Sequence, residues 1–330
     1  MNSQLTYMKK SELFKELELQ RSHFFAVIDE KVKPQLPDWI ISSENVFWLV
    51  DPEGSKSLEA YERVVSFFLE RGISRASRLI AIGGGATTDL SGFVAATILR
   101  GIEWISIPTT LLAMVDGSIG GKVGLNMPQG KNLIGAFHHP LQIYICYDFL
   151  TTLPVRELQS GKGEIIKYGF LSSEIHEAIM QKESLETISH LCSEFKKDIV
   201  RSDFKEQGER IFLNLGHTLG HAFELSLGIP HGIAVMMGLK YLFLILDQQD
   251  QLKNWDELLS ALELDEKTTR LSSYPQFSLD KFIHYLKQDK KKSHDLIRLV
   301  VVRAIGNCIV NEMTLNEFIS KIRNHAEFKR

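Results

Sequence analysis

Short apolar runs, each closed by a turn or an acidic residue, fill the first half of this chain and constrain its fold more than any other feature. Phe24-Phe-Ala-Val-Ile28 ends in Asp29, and Val46-Phe-Trp-Leu-Val50 ends in Asp51-Pro52-Glu53-Gly54. Arg78-Leu-Ile-Ala-Ile82 runs straight into Gly83-Gly84-Gly85. Trp104-Ile-Ser-Ile107 is closed by Pro108-Thr109-Thr110, and Ile143-Tyr-Ile-Cys-Tyr147 by Asp148. Continuous short runs without polar alternation are the pattern of strands buried on both faces. Between them, Leu58 to Arg71 has helical period and a stop at Gly72. Thr87-Thr88-Asp89 offers cap and first-turn residues for a helix from about Leu90 to Leu99. Strands alternating with helices mean βαβ units and a parallel sheet. Ligands of such sheets lie outside the carboxyl ends of the strands. Asp29, Asp51, the glycine run, Thr109-Thr110 and Asp148 all fall at that edge.

After Thr152 the texture changes. Pro154 reads as a first-turn proline, and the remainder is mostly helical, with one late apolar run, Leu296 to Val302, as a strand. Residues 1–22 read as a short polar helix or arm. The expected architecture is α/β: a Rossmann-like parallel-sheet domain over 1–152 and a mainly helical domain over 153–330, with the site in the cleft between. A chain of 330 residues is comfortable for two domains. Its 44% hydrophobic content is that of an ordinary soluble protein, and with a net charge of -3 nothing suggests general affinity for nucleic acid or anionic membrane. Any anionic ligand must be held by a local cluster of Lys and Arg. No apolar run approaches transmembrane length, and the N-terminus lacks the apolar stretch of a secretory signal. Cys146, Cys192 and Cys308 form no CxxC pair, so idle thiols of a reducing cytosol are expected. The expected location is cytoplasmic.

The chemistry concentrates in Asn214-Leu-Gly-His217-Thr-Leu-Gly-His221, with His231 following Pro230. Imidazoles four residues apart on a helix share a face. Neutral imidazole is the commonest metal ligand and also titrates near neutral pH, so one His can coordinate while another moves protons. Glu164 sits in apolar company on a predicted helix with Lys167, and a carboxylate there wants a metal or a partner. Glu164, His217 and His231 would give three protein ligands with a coordination position left open, the pattern of a catalytic Zn2+ site. Arg210, Asn214, His217 and His221 step by four, three and four, which reads as one polar helical stripe facing an anion. Gly83-Gly84-Gly85 lets backbone amides approach a diphosphate at a helix N-terminus. The glycine-rich stretch from Asp116 to Asn132, with Lys122, Asn126 and Lys131, reads as a phosphate-binding loop. His138-His139 reads as a surface pair.

Taken together, these segments resemble the 3-dehydroquinate synthase family of the sugar phosphate cyclase superfamily. The matching runs are GGG…D, RG…PTTLL…VD…GGK…N, GKN-IGAF, TLP-REL-SG…E-IKYG, LNLGHT-GHA-E, HG-AV and DKK, from about Asp51 to about Lys291. The resemblance implies one divalent metal, Zn2+ or Co2+, on Glu164, His217 and His231. It implies NAD against Asp51, Glu53, Lys56, Gly85, Ala86, Thr87, Thr88 and Asp89. Thr109, Thr110, Lys122, Lys131, Phe149, Leu150, Thr151 and Thr152 would complete that surface. Catalytic roles fall to Asp116, Lys122, Asn132, Lys167 and His221, and substrate contacts to Arg100, Lys196, Arg210, Asn214 and Lys290. The implied reaction takes 3-deoxy-D-arabino-heptulosonate 7-phosphate to 3-dehydroquinate and phosphate, by transient oxidation with NAD, phosphate elimination, reduction and aldol closure. A homodimer is also implied. The alternatives are another sugar phosphate cyclase, of inosose or epi-valiolone type, or a metal-dependent polyol dehydrogenase. The chain departs from the family's usual pattern at Ala86-Thr87-Thr88, at Lys162-Gly163, in the short segment before Val46, and at Ile233, where many members carry Glu.

Overall fold

In the computed structural model, which describes residues 3–21, 24–206, 208–290 and 296–329, the apolar runs pair as a parallel sheet. The first of two units, Met1–Pro154, contains β1 (Gln4–Tyr7), β2 (Phe24–Asp29), β3 (Val46–Leu49), β4 (Arg78–Gly83), β5 (Glu103–Pro108), β6 (Lys122–Met127), β7 (Gly130–Phe137) and β8 (Gln142–Ile145). Six of these form one sheet in the order β1-β8-β5-β4-β2-β3, every pairing parallel. The strand order reverses between β2 and β4, the kind of point where doubly wound sheets bind ligands.

Successive side chains of a strand point to opposite faces, and here both faces are buried. Phe24, Ala26 and Ile28 of β2 join Ile80 and Ile82 of β4 in one core layer, with Leu13, Leu17 and Ile40. Phe25 and Val27, with Leu79 and Ala81, join the other, with Val64, Phe68, Leu90 and Val94. Complete burial of such side chains contributes roughly 1.5–3 kcal/mol each, which is why these runs are almost wholly apolar, with the buried Ser106 of β5 as an exception. The covering helices are α1 (Lys10–Leu19), α2 (Asp38–Ile41), α3 (Leu58–Glu70) and α4 (Gly85–Thr97).

Three expectations are corrected in this unit. The N-terminal arm contains an edge strand: Gln4 to Tyr7 lie in register with Gln142 to Ile145 before α1 begins. Helix α4 begins at Gly85, capped by Gly84, rather than near Leu90, so Thr87, Thr88 and Asp89 lie within its first turns. It ends at Thr97, and Leu99 and Arg100 then adopt φ of 52° and 70°. The glycine-rich stretch expected as a loop is an antiparallel hairpin, β6–β7, pairing Lys122 with Phe137 and Gly124 with Gly135. A Cβ on Gly124 would lie 2.5 Å from the Ile134 carbonyl oxygen, so glycine here permits a close backbone approach.

The second unit, Val155–Arg330, holds α5 (Val155–Leu171), α6 (Ser173–Met180), α7 (Leu185–Ser202), α8 (His217–Leu227), α9 (His231–Ile245), α10 (Gln249–Ala261), α11 (Leu279–Lys290) and α12 (Leu315–Asn324). An antiparallel pair, β9 (Leu296–Ala304) and β10 (Asn307–Thr314), completes it. Helix α9 is buried on nearly every side, as a helix apolar all round must be, and both α5 and α8 pack on it. Phe223 of α8 packs on Phe282 of α11 with ring centroids 4.5 Å apart, and also on Tyr241 and Phe328. Among the described residues no helix is long and apolar enough to cross a membrane.

Candidate metal centre and nucleotide site

Close backbone packing lies beside each candidate ligand. Glu164 follows Gly163 in α5, and His231 precedes Gly232 at the start of α9. A Cβ on Gly163 would stand 2.4 Å from the Gly232 carbonyl oxygen, and one on Gly232 would stand 1.8 Å from that of Ser160. The helices therefore meet backbone to backbone, with the Gly232 N–H donating to Ser160 Oγ at 3.1 Å. Before His217, Gly216 takes φ 76° to cap α8, and a Cβ there would be 2.8 Å from Leu239 Cγ of α9. This geometry gives Gly163 a local reason: no larger residue fits there.

The result is a compact donor set. One ligand atom from each of Glu164, His217 and His231 lies within 4.8 Å of the others. Glu164 is fully buried, and its Oε1 accepts from the equally buried Lys167 ammonium. Glu164 Oε2 is buried without a hydrogen-bond partner, which costs free energy unless something else meets it. His217 Nδ1 lies 3.1 Å from the Leu215 carbonyl oxygen, which can only accept, so Nδ1 carries the proton and Nε2 the lone pair. That Nε2 is 3.9 Å from Glu164 Oε1. Burial, then the charge of Lys167 and the neighbouring imidazoles, holds His217 well below the usual imidazole range, in the neutral form that binds metals. His231 Nδ1 is 2.9 Å from Glu224 Oε2, and a carboxylate can only accept, so this Nδ1 carries a proton. Two imidazoles and a carboxylate with an orphaned oxygen are a donor set that suits Zn2+ or Co2+. His221 joins the group through its ring, with centroids 5.4 Å from His217 and 5.8 Å from His231.

Of the anion-facing candidates in this unit, Lys196 on α7 and Arg210 are buried, unusual for such side chains outside a site. Arg210 Nη1 donates to the Phe204 carbonyl at 2.7 Å, and Asn214 Nδ2 donates to Glu206 Oε1 at 2.8 Å. The expectation of one continuous helical stripe is corrected. Glu209–Asn214 is a 3-10 turn, and the left-handed Gly216 separates it from α8, so Arg210 and Asn214 are not on the histidine helix. The Lys290 side chain lies outside the described residues.

In the first unit the glycine turn sits beside its expected neighbours. The Thr109 N–H donates to the Gly83 carbonyl at 2.9 Å, and a Cβ on Gly84 would lie 3.1 Å from Thr110 Cγ2. A π-helical turn, Ala113–Gly117, carries Asp116 and brings Gly117 against Gly85. Nothing stands within 4 Å of where a Gly85 Cβ would be, and the first-turn amides of α4 have no intrahelical acceptor. Thr87 Oγ1, in that turn, is buried and unpartnered. These features fit an anionic group such as a dinucleotide diphosphate. Lys56, buried, pairs with Asp89 at 2.5 Å, and Lys131 with Glu53 at 3.4 Å. The Asn126 N–H donates to the Lys56 carbonyl at 2.7 Å and Asn126 Oδ1 accepts from the Asn132 N–H at 3.1 Å, so the hairpin is tied to this group. Asp51 turns inward on its own loop, accepting from the Gly54 N–H at 3.3 Å. Phe149 is buried, Leu150 half-buried, and Thr151 and Thr152 exposed on the turn after β8. Lys122 is exposed at the start of β6. Arg100 stands apart from these residues, exposed beyond the far end of α4, roughly 20 Å along the helix from Gly85. Glu224 closes the matching run LNLGHT-GHA-E but carried no assigned role, since a Glu on a helix does not reveal its partner.

Residues 46–160 match the 3-dehydroquinate synthase N-terminal family, and residues 161–292 the 3-dehydroquinate synthase C-terminal family. The 3-dehydroquinate synthase of Staphylococcus aureus (strain Newman) is 37% identical over 324 residues, which cover 91% of this chain and 90% of that protein. The fold is also that of 2-epi-5-epi-valiolone synthase from Streptomyces hygroscopicus subsp. jinggangensis 5008, solved with NAD+ and Zn2+ bound, at TM-score 0.82 and 21% identity over 97% of this chain and 96% of that one. A 2-deoxy-scyllo-inosose synthase complexed with carbaglucose-6-phosphate, NAD+ and Co2+ superposes with TM-score 0.79 at 21% identity, again over 97% and 96% of the two chains. Matches that together span most of the sequence, with a relative at this identity along nearly its whole length, show that the chain belongs to the 3-dehydroquinate synthase family.

Proposed function

We propose that this chain converts 3-deoxy-D-arabino-heptulosonate 7-phosphate to 3-dehydroquinate and inorganic phosphate, with NAD and one divalent metal as cofactors. The observation that carries the reading is the set of buried Glu164 with half-buried His217 and His231, with an orphaned Glu164 oxygen and two imidazoles whose Nδ1 atoms are already engaged. When bound, NAD supplies reversible hydride acceptance and the metal supplies Lewis-acid polarisation of a hydroxyl. The chain's own residues bind, orient and move protons. Lys167, already desolvated beside Glu164, offers an ammonium for a phosphate or hydroxyl oxygen. Lys196 and Arg210, both buried, suit the substrate carboxylate, which a guanidinium can grip through two N–H groups. Asn214 would hydrogen-bond a substrate hydroxyl, and Lys122, Asn132 and Lys290 would serve the phosphate. His221, its ring beside both ligand imidazoles, is the candidate proton relay. The first turn of α4 with Gly85 to Asp89, together with Lys56, Thr109 and Thr110, would hold the dinucleotide. Phosphate elimination makes the protein a carbon–oxygen lyase.

The test is to incubate protein loaded with Zn2+ or Co2+ and NAD+ with the heptulosonate phosphate, following phosphate, 3-dehydroquinate and absorbance of NADH. Stoichiometric phosphate and dehydroquinate with no net NADH is expected. Accumulation of NADH from a polyol, without phosphate release, would replace this reading by a dehydrogenase.

A further inference from the structure

Two imidazoles of the donor set are oriented by partners of different charge. His217 Nδ1 faces a neutral backbone carbonyl, whereas His231 Nδ1 faces the carboxylate of Glu224 at 2.9 Å. Ile233, two residues past His231, is buried and apolar, so the carboxylate at this imidazole comes from α8 and not from the ligand's own helix. The corner between the two helices makes the contact possible. Gly228 closes α8 in the left-handed region at φ 67°, and Pro230 caps α9, turning the chain back so that residues seven apart meet. Phe223, next to Glu224, is locked in the aromatic cluster with Tyr241 and Phe282, which holds this part of α8 in place. The Glu224 side chain is 11% exposed, so water competes little for its oxygen.

We propose that Glu224 is a positioning residue for the metal centre, an inference that rests on the metal reading above. Its carboxylate accepts the Nδ1–H of His231, keeps the proton on that nitrogen, and holds the ring in one plane. A carboxylate partner also makes Nε2 a stronger electron donor to a bound cation. Glu224 acts through His231.

The experiment measures the dissociation constants of Zn2+ and Co2+ from full-length apo-protein by competition with a chromophoric chelator, and records the visible Co2+ spectrum. Glu224→Ala is expected to weaken binding by about 10–100-fold and to alter the Co2+ bands. Glu224→Gln retains an oxygen that accepts from Nδ1 and is expected to recover most of that loss. The melting temperatures of the two apo-variants are expected to stay close to that of the parent, which separates ring orientation from a general structural role. Parental affinity and spectrum in Glu224→Ala, or a Gln variant no better than Ala, would overturn the proposal. His217→Ala is the control for the underlying reading. If the parent and His217→Ala bind the metals equally, the metal centre itself is wrongly assigned. If His217→Ala loses the metal while Glu224→Ala does not, only the role of Glu224 fails.

Discussion

At the scale of single residues, the buried pair of Lys167 and Glu164 sets the energetics of the centre. Neither side chain is more than 1% exposed. Removing one member of such a pair leaves a desolvated charge without compensation, at about 3–5 kcal/mol. A divalent cation can take over the role of the ammonium towards Glu164. Lys167→Met should therefore cost the apo-protein about 3–5 kcal/mol in urea unfolding and markedly less with Zn2+ present. Equal losses with and without Zn2+ would show that Glu164 does not bind the ion. The thiols make a second test. Burial pushes both Cys146 and Cys308 up to about 11, so each remains a protonated, poorly nucleophilic thiol at neutral pH. Alkylation of the native protein by iodoacetamide near neutral pH should be slow at both positions compared with the unfolded chain, as read by peptide mass spectrometry. Residue types announced Glu164 and the histidines in the sequence, because a carboxylate in apolar company and spaced imidazoles are each costly or unusual. Glu224 was not legible in the same way: its partner is defined by the Gly228 corner and not by its neighbours in the chain.

At the scale of elements, the close packing of α5 on α9 decides the spacing of two candidate ligands, Glu164 and His231. Gly163→Ala would push its Cβ into the Gly232 carbonyl, and Gly232→Ala into that of Ser160. Overpacking of this kind costs about 1–3 kcal/mol, and here relief requires the helices to separate and to carry Glu164 and His231 apart. Both variants should lower the melting temperature and weaken Zn2+ binding together. Substitution of Gly85, where an added Cβ meets nothing, should leave Zn2+ affinity unchanged. If Gly232→Ala kept the parental metal affinity, backbone contact would not be what spaces the donors. The strands with continuous apolar runs, β2 to β5, were legible because burial on both faces leaves one solution for such a run. The β6–β7 hairpin was not, since glycine is depleted from strands in general and here serves close approach to a neighbouring backbone. The extension of the histidine stripe to Arg210 and Asn214 failed for a related reason: spacing alone does not reveal that Gly216 leaves the right-handed helix before His217.

At the scale of the whole molecule, the candidate sites fall in two units, and each ligand should stabilise the elements that hold it. Binding to the native state alone adds about 2.7 kcal/mol at a ligand concentration one hundred times the dissociation constant. Zn2+ added to apo-protein should slow hydrogen exchange along α5, α8 and the start of α9. NAD+ should slow it at the β4–α4 turn and at Lys56. Protection by NAD+ that spares the β4–α4 turn would remove the basis for the nucleotide assignment. What the sequence by itself determined is the class of structure: a parallel sheet in the first part, a helical second part, and the residue types of a two-histidine, one-carboxylate centre. Period, caps and apolar runs act over a few neighbouring residues, so they are written locally. Only the tertiary structure decided that Gln4 to Tyr7 pair with residues 142–145, that Gly163 meets Gly232, and that Glu224 faces His231. Those pairings join residues that share no local period. They follow from which backbones can approach each other and which buried polar atoms find a partner once the helices and strands have packed.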